Sequence, residues 1–274
     1  MDMSRPSVDI PGFLTRLSTT LLAKSPSPAQ FIVPLLVSVT CGRGSEWVPH
    51  IYTAATRTLP PAPALRQPST EFPSQETVPR RLVVRQMKEA LQKASILIGV
   101  PKTIEARLEL EQVVEPGAKD DAFPRQECAK LSPEEALRRG RAGLDTIYRD
   151  NLDAIFEMMG KDMQEVAFMS QQITYGFFLT PFGPSSAEAP SRDPLAFDER
   201  LLSIVTLSCL VPQRTRREIL WHLRGAIRRG MKRDEVEAVH QAIADCCDAC
   251  GMPGVREGMP VVAEVEPQKE ELEE

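Results

Sequence analysis

The sequence is poor in aromatic residues, and it contains no hydrophobic run long enough to cross a bilayer. Phe, Tyr and Trp make up 5% of its 274 residues, so we expect no stacking platform for nucleic-acid bases. A membrane-spanning helix needs about 20 consecutive apolar residues, and no such run is present. The net charge is −5, whereas a general nucleic-acid-binding protein usually carries a basic surface patch. We therefore predict neither a nucleic-acid partner nor a membrane.

A secretory segment and a disulfide framework are missing as well. No hydrophobic stretch with a cleavage site follows residue 1. Three of the six cysteines are isolated in the sequence, namely Cys41, Cys128 and Cys209. These observations predict a cytosolic protein with reduced thiols.

Helical periodicity dominates what is present, and alternating strand patterns are hard to find. Ser132 followed by Pro133 and two glutamates is a strong helix start, and Gly230 suits a helix end. Apolar residues recur at helical spacing in 31–41, 46–58, 81–98, 103–114, 132–159, 162–177, 195–210, 216–229 and 233–250. The sequence predicts an all-α protein.

Two proline-rich stretches separate groups of predicted helices. Residues 59–80 contain six prolines and residues 181–194 contain four, which is typical of surface connections. The second stretch could alternatively form a lid over a cavity. We predict an N-terminal helical half at 1–130, a second domain at 131–266 and an acidic tail at 267–274.

The segment 216–229 concentrates side chains that suit acid–base chemistry. Glu218 and His222 are four residues apart, so they share one helix face and could form a hydrogen bond. Arg229 lies seven residues after His222, and at about 100° per residue this spacing places it on the same side of the helix. Gly225 lies between the two residues and leaves space beside the backbone. A carboxylate favours the charged form of an imidazole, and a guanidinium binds anions. The spacing equally fits a modest surface pair or a buried histidine.

The same spacing occurs upstream in Glu46, His50 and Arg57. Pro49 precedes the histidine directly, which predicts that this part is the first turn of a helix. We interpret the repeated pattern as the remnant of a duplication. A pseudo-symmetric second site, or a single cavity lined by both His50 and His222, stays open as an alternative.

Aromatic residues are concentrated immediately before the second proline-rich stretch. Tyr175, Phe177, Phe178 and Phe182 fall within eight residues. They form either part of the core or the cover of a substrate site. Tyr175 is the strongest functional candidate because its hydroxyl can donate a hydrogen bond.

Other residues of chemical interest are predicted to lie in the core. His240 borders the apolar stripe of the predicted helix 233–250 and has no acidic residue four positions earlier. A series of methionines also follows helical spacing, at Met158, Met159, Met163 and Met169.

Several sequence pieces follow one another in a recognisable order. They are Tyr175-Gly176, Leu195-x-x-Asp198-Glu199-Arg200, Glu218-x-x-x-His222-Leu223-Arg224-Gly225-Ala226, Arg229-Gly230, Arg233-Asp234-Glu235-Val236 and Cys250-Gly251-Met252-Pro253. Residues 141–262, which contain these pieces, resemble the carboxymuconolactone decarboxylase family within the wider AhpD-like all-helical fold. Residues 1–130 match more weakly and resemble a degenerate additional repeat, as in longer fungal members.

This resemblance implies a homo-oligomeric lyase that uses neither metal nor cofactor, acts on a small carboxylated conjugated metabolite and serves fungal secondary metabolism. Loss of CO2 leaves a carbanion that must be stabilised and protonated. A histidine with a pKa near 6.5 can donate that proton at neutral pH. We therefore assign His222 as proton donor, Glu218 as its orienting partner and Arg229 as anion binder, with Tyr175 and His50 as further substrate-binding candidates.

The cysteines depart from the pattern of thiol-dependent AhpD-like relatives. Those proteins carry a Cys-x-x-Cys pair where this sequence has Thr215 and Glu218. A different pair, Cys247 and Cys250, lies at a predicted helix end, where the helix dipole disfavours thiolates, and only His240 is near enough to complete a zinc site. A cyclase or isomerase, a thiol redox protein using this pair, and a non-catalytic oligomeric module are the alternative functions.

Overall fold

A computed structural model describes residues 8–66, 68–69, 72–182 and 191–267. This part of the chain is helical and contains no β-strand, which confirms the all-α prediction. Short 3₁₀ turns connect several helices. The helices are α1 Ile10–Leu22, α2 Ala29–Thr40, α3 Gly44–Thr56, α4 Pro79–Ile98, α5 Val100–Val113, α6 Pro133–Tyr148, α7 Leu152–Met159, α8 Gln164–Phe168, a π-helix Met169–Leu179, α9 Arg200–Leu210, α10 Arg216–Arg228 and α11 Arg233–Ala249.

The predicted helix ends are present where the sequence carries capping residues. The Ser132 hydroxyl accepts a hydrogen bond of 3.2 Å from the backbone N–H of Glu135, and Pro133 is the first residue of α6. Gly230 follows α10 with a φ of 86°, which only glycine adopts without strain.

Several features of the helix pattern differ from the sequence prediction. The helix predicted over 195–210 begins only at Arg200, and the helix predicted over 162–177 is divided between α8 and the π-helix. The helix predicted over 132–159 is interrupted at Arg149, whose φ of 46° lies in the left-handed region. Neither glycine nor proline marks this break, so spacing alone does not reveal it. In addition, α1 is a helix that the prediction missed.

The main hydrophobic core joins residues from both sides of position 130. Its central element is α2, in which every residue except Gln30 is buried. This helix packs against α1, α3 and α4 from the first half and against α9 and α11 from the second. The predicted boundary therefore does not separate two cores. A second, smaller cluster joins α6, the π-helix, α9 and the first residue of α7 through Leu144, Ile147, Leu152, Tyr175, Leu179 and Leu202.

The connecting segments are only partly described. The described part of 59–80 is irregular and mostly exposed up to the start of α4, apart from one turn at Pro73–Gln75. Residues 183–190 of the second proline-rich stretch lie outside the described residues, as do 268–274 of the predicted tail. Most of the segment that we predict could form a lid lies in residues 183–190, outside the described residues.

Three of the four methionines predicted to lie in the core are exposed, so that prediction is wrong for Met158, Met163 and Met169, and Met159 is half-buried. Exposed fractions are 72% for Met158, 43% for Met163 and 44% for Met169. Gly160 ends α7 with a φ of 59°, and the helices around it are short and peripheral. Val166 and Phe168 are exposed beside these methionines. We call Met158, Met163, Val166, Phe168 and Met169 the 158–169 face.

Candidate functional site

A cavity of about 190 Å³ lies where α4, α6, α9 and the residue after α10 meet. Residues 180–181 and 193–199 complete its wall. The residues that line it include Lys93, Gly143, Thr146, Thr180, Glu199 and Arg229. Charged and hydroxyl groups therefore face a space the size of a small molecule.

Two glycines of α6 allow the π-helix to approach closely. A Cβ atom on Gly140 would overlap the backbone carbonyl of Gln171. A Cβ atom on Gly143 would overlap the Thr180 hydroxyl and lie 3.1 Å from Cδ1 of Tyr175. The Tyr175 ring thus lies directly behind Gly143, with no side chain between it and the cavity wall.

Arg229 is the predicted site residue that lines the cavity. Its side chain is nearly buried, and its Nη atoms lie 3.5 Å from the Ser203 hydroxyl and 3.4 Å from the Gly143 carbonyl oxygen. Among the described residues, no carboxylate lies within ion-pair distance of this guanidinium. Burial lowers the pKa of Arg229, against the raising effects of Tyr175 and Glu199. An arginine stays charged in proteins, so the site contains a buried cation without an anionic partner.

His222 is buried beside Arg229 and does not line the cavity. Its residual exposure is 7%, and the Nδ1 atom has no hydrogen-bond partner within the described structure. Burial, together with the Arg229 charge, lowers its pKa to about 3. The imidazole is therefore neutral at pH 7, in contrast to the charged proton donor that the sequence predicts.

The expected hydrogen bond between Glu218 and His222 is absent from the described structure. Glu218 remains half-buried in the first turn of α10, whereas His222 points into the interior. Burial raises the pKa of Glu218, and the nearby Arg217 lowers it. The four-residue spacing places both residues on one helix face but does not bring the two functional groups together.

Tyr175 is buried, and its hydroxyl has no hydrogen-bond partner among the described residues. Burial raises the pKa of this phenol; Arg229 lowers it and Glu218 raises it further. The hydroxyl is protonated at neutral pH as a result. Tyr175 and His222 are thus buried polar residues near Arg229, and of these three residues only Arg229 lines the cavity.

His50 lies apart from this group. It is exposed on α3, and the main contacts of α3 are with α1, α2, α4 and α5 rather than α10. Glu46 forms an ion pair with Arg43, so it does not act as an orienting partner for His50. The helix begins at Gly44, which places Pro49 beyond the first turn where we expected it.

Lys93 and Asp193 also line the cavity, and neither residue is predicted from the sequence. The Lys93 Nζ atom lies 2.8 Å from Oδ2 of Asp193 and 3.3 Å from Oε1 of Glu89. It also donates a hydrogen bond of 2.8 Å to the Leu179 carbonyl. A lysine among the buried residues of α4 needs such partners, and its place on that apolar stripe is a sequence feature that could have revealed it.

Other predictions can be compared with the described part of the chain. His240 is fully buried, which confirms its place in the core. No group of three or more His, Cys, Asp or Glu side chains there is arranged to hold a metal ion. No helix there is long and apolar enough to span a bilayer.

Comparisons with known proteins give little guidance. No protein-family model matches the chain, and no solved structure matches it. It is similar to a protein of Schizosaccharomyces pombe called Peroxisomal protein 2, with 25% identity over 166 residues, which cover 61% of this chain and 70% of that protein. This similarity is too distant to assign a family, so the resemblance to carboxymuconolactone decarboxylases stays a prediction.

Proposed function

We propose that the protein is a cofactor-independent lyase that removes CO2 from a small, carboxylated, conjugated metabolite. The observation that carries this proposal is Arg229, a buried cation that faces a cavity and has no carboxylate partner among the described residues. An unpaired buried charge is costly, and a bound carboxylate offsets that cost. A cavity of about 190 Å³ corresponds to roughly six water volumes, so the ligand is small.

The acid–base roles differ from those that the sequence suggests. A neutral His222 with a pKa of about 3 is a poor source of a proton at pH 7. The Tyr175 hydroxyl is protonated and unpartnered among the described residues, and its ring lies behind Gly143 rather than in the cavity wall. We propose it as the donor, which requires that the substrate reach past Gly143. When the C–C bond to the carboxylate breaks, its electron pair stays on carbon as a carbanion and CO2 leaves. The carbanion takes the phenol proton, and water then reprotonates the phenolate.

Arg229 and His222 support this step in different ways. The guanidinium holds the substrate carboxylate or a second oxyanion that shares the developing charge. The neutral imidazole beside it adds no positive charge, so it does not compete with Arg229 for the anion. Glu218 stays outside the proposed mechanism because it forms no hydrogen bond with His222 in the described structure.

The test is metabolite profiling with purified protein and a panel of small conjugated carboxylic acids. We expect one acid to lose 44 Da, and we expect Arg229→Gln to slow that loss by at least about 100-fold. Arg224→Gln is the matched control, because Arg224 lies in α10, shortly before Arg229, and does not line the cavity. If no acid loses mass, or if Arg229→Gln matches the wild type, the proposal is wrong. A product of unchanged mass indicates the related cyclase or isomerase reaction instead.

A non-catalytic oligomeric module is the second candidate function. The observation that favours it is the burial of His222, which leaves no imidazole facing the cavity. In this case Arg229 binds a metabolite without converting it. Calorimetric binding of an acid that loses no mass on incubation would support this candidate over the lyase.

We also propose that the protein is a homo-oligomer, assembled through the 158–169 face. Its five apolar side chains are exposed within a short stretch, and contiguous apolar patches on a protein surface mark interaction sites. A second copy of the chain offers a matching apolar surface, as in a two-fold symmetric contact.

The cytosol is the proposed location, and a role in fungal secondary metabolism remains part of the proposal. The name of the Schizosaccharomyces pombe relative makes the peroxisome the alternative. A fluorescent fusion viewed beside a peroxisomal marker distinguishes the two compartments.

A further inference from the structure

A second cavity, with a volume of about 350 Å³, lies between α4, α5 and the segment 120–125. Arg192 and Pro194 help to complete its wall. We call it the Arg107 cavity, after a residue of α5 that lines it. Small-molecule sites in proteins enclose roughly 300–1,000 Å³, so this space can hold a ligand larger than a single ion. The proposed lyase reaction does not involve it.

Positive charge predominates among the described residues that line this cavity. Five cationic side chains accompany two carboxylates there, namely Arg85, Lys88, Arg107, Arg125 and Arg192 with Glu89 and Asp120. Two further carboxylates beside the cavity are each shared with a further cation, Glu76 with Arg81 and Glu111 with Lys119. The excess of three positive charges therefore remains, and it favours a ligand with more than one negative charge.

The side chains of Lys88, Gln92 and Arg107 lie together on one part of the wall. Lys88 and Gln92 are four residues apart on α4, so they share a helix face. From α5, the Nη1 atom of Arg107 lies 3.5 Å from Oε1 of Gln92, and no carboxylate within the described structure lies at ion-pair distance from this guanidinium. Arg107 therefore retains donor groups for a ligand.

Lys88 has spare donor capacity as well. Its Nζ atom donates a hydrogen bond of 2.5 Å to the Asp120 carbonyl oxygen, whereas the nearest carboxylate oxygens of Asp120 and Glu111 lie 3.7 and 3.8 Å away. Burial lowers the pKa of Lys88, Asp120 raises it and the charge of Arg107 lowers it again. The two cations thus repel each other, and an anion bound between them offsets that repulsion.

Phe123 adds an apolar surface to the same cavity. Its side chain is 68% exposed, although the backbone on both sides of it is anchored to α4. Asp120 accepts a hydrogen bond of 2.9 Å from Nε of Arg85, and Arg125 forms an ion pair with Glu89. Three prolines line the cavity as well, Pro73, Pro124 and Pro194. An exposed ring held in place beside a group of cations suits a ligand with both an anionic and an apolar part.

We propose that the Arg107 cavity binds a phosphate monoester with an apolar, ring-containing body. The phosphate group lies between Lys88 and Arg107, and the ring of the ligand packs on Phe123. A phosphate monoester carries a charge of about −1.5 to −2 at pH 7 and three acceptor oxygens, so it matches the excess of positive charge better than one carboxylate does. The guanidinium can bind two of these oxygens at once. This site is separate from the Arg229 cavity and does not depend on the lyase proposal.

The test is isothermal titration calorimetry of the full-length protein at constant ionic strength, with phenyl phosphate, inorganic phosphate and benzoate as probes. Phenyl phosphate should bind more tightly than the other two. Arg107→Gln should weaken the binding of both phosphates by at least about tenfold, the loss expected for a charge-assisted hydrogen bond. Phe123→Ala should weaken phenyl phosphate alone, by about two- to tenfold.

Two further arginine variants locate the ligand. Arg57→Gln is the matched control, because Arg57 is exposed at the end of α3 and does not line this cavity, and it should bind phenyl phosphate like the wild type. Arg229→Gln should do the same, since Arg229 lines the other cavity. The proposal is overturned if phenyl phosphate does not bind, if benzoate binds equally well, if Arg107→Gln retains wild-type affinity, or if Arg229→Gln loses it.

Discussion

Lys93 and Asp193 form an ion pair of 2.8 Å in which both side chains are almost wholly buried. The pair joins α4 to the segment before α9 at the wall of the Arg229 cavity. Removing the lysine leaves two buried carboxylates, Asp193 and Glu89, with one cation fewer. We expect Lys93→Met to lower the free energy of unfolding by about 3–5 kcal/mol, measured by urea denaturation.

An exposed ion pair offers the matched comparison. Lys24 and Asp234 lie 3.1 Å apart with side chains that are 47% and 63% exposed. Lys24→Met should change the free energy of unfolding by less than about 1 kcal/mol. Equal decreases in the free energy of unfolding for the two variants would show that the buried Lys93–Asp193 pair matters no more for stability than the exposed pair.

The buried histidine predicts how stability depends on pH. His222 has a pKa of about 3 in the folded protein and about 6.5 when unfolded. Only the unfolded chain takes up its proton between these values. Stability from this group is therefore present above pH 6.5 and is lost as the pH falls, by about 1.4 kcal/mol per pH unit. His240, whose pKa burial lowers to about 4, acts in the same direction.

Urea denaturation between pH 6 and pH 4.5 measures this effect. His222→Asn should reduce the slope of the unfolding free energy against pH. The reduction relative to the wild type should be up to about 1.4 kcal/mol per pH unit, which is the contribution of one proton. His50→Asn is the control, because His50 lies at the surface, and it should retain the wild-type slope. A slope that His222→Asn leaves untouched would contradict the burial of this imidazole.

The two glycines of α6 should differ in their tolerance of alanine. At Gly140 the added methyl group meets a backbone carbonyl, whereas at Gly143 it meets the Thr180 side chain. A side chain can rotate away from an added methyl group, whereas a backbone carbonyl in a helix cannot. We therefore expect Gly140→Ala to destabilise the protein by about 1–3 kcal/mol and Gly143→Ala by less. Thermal unfolding followed by circular dichroism compares the two variants, and the reverse order would be inconsistent with this packing.

Gly143→Ala should also affect ligand binding. Gly143 lines the Arg229 cavity and separates it from Tyr175. A methyl group at this position fills part of that wall, so affinity for the acid found by profiling should fall more than in Gly140→Ala. Isothermal titration calorimetry of both variants measures the difference, and equal affinities would place the ligand elsewhere.

The proposed oligomer depends on apolar contacts of the 158–169 face. A charge in the middle of a buried apolar contact must be desolvated, so Phe168→Glu should shift the protein to monomers in multi-angle light scattering. Leu65→Glu is a suitable control, because Leu65 is also exposed and lies in the first proline-rich connection. An unchanged molar mass for Phe168→Glu would assign the assembly to another surface.

The local helix pattern could be predicted well where capping residues accompany an apolar stripe. The helix 216–229 was expected from its spacing and from Gly230, and α10 spans Arg216–Arg228. The break at Arg149 could not be predicted in this way because neither glycine nor proline marks it in the sequence. The methionine series shows the same limit, since helical spacing does not reveal which face meets the core.

The candidate site could be predicted only in part, because chemistry depends on contacts between distant segments. The sequence pointed to Arg229 and Tyr175, which the fold places near one cavity. It could not show that His222 turns away from Glu218, since four-residue spacing fixes a helix face and not a side-chain direction.

The position of α2 has a consequence for attempts to divide the protein. This helix comes from the first half of the chain, yet it covers the inner surfaces of α9 and α11. A fragment that starts at residue 131 would expose the apolar side chains that α2 shields, and such fragments aggregate. The second half therefore shares its core with the first, and we expect the helical array to fold as one unit.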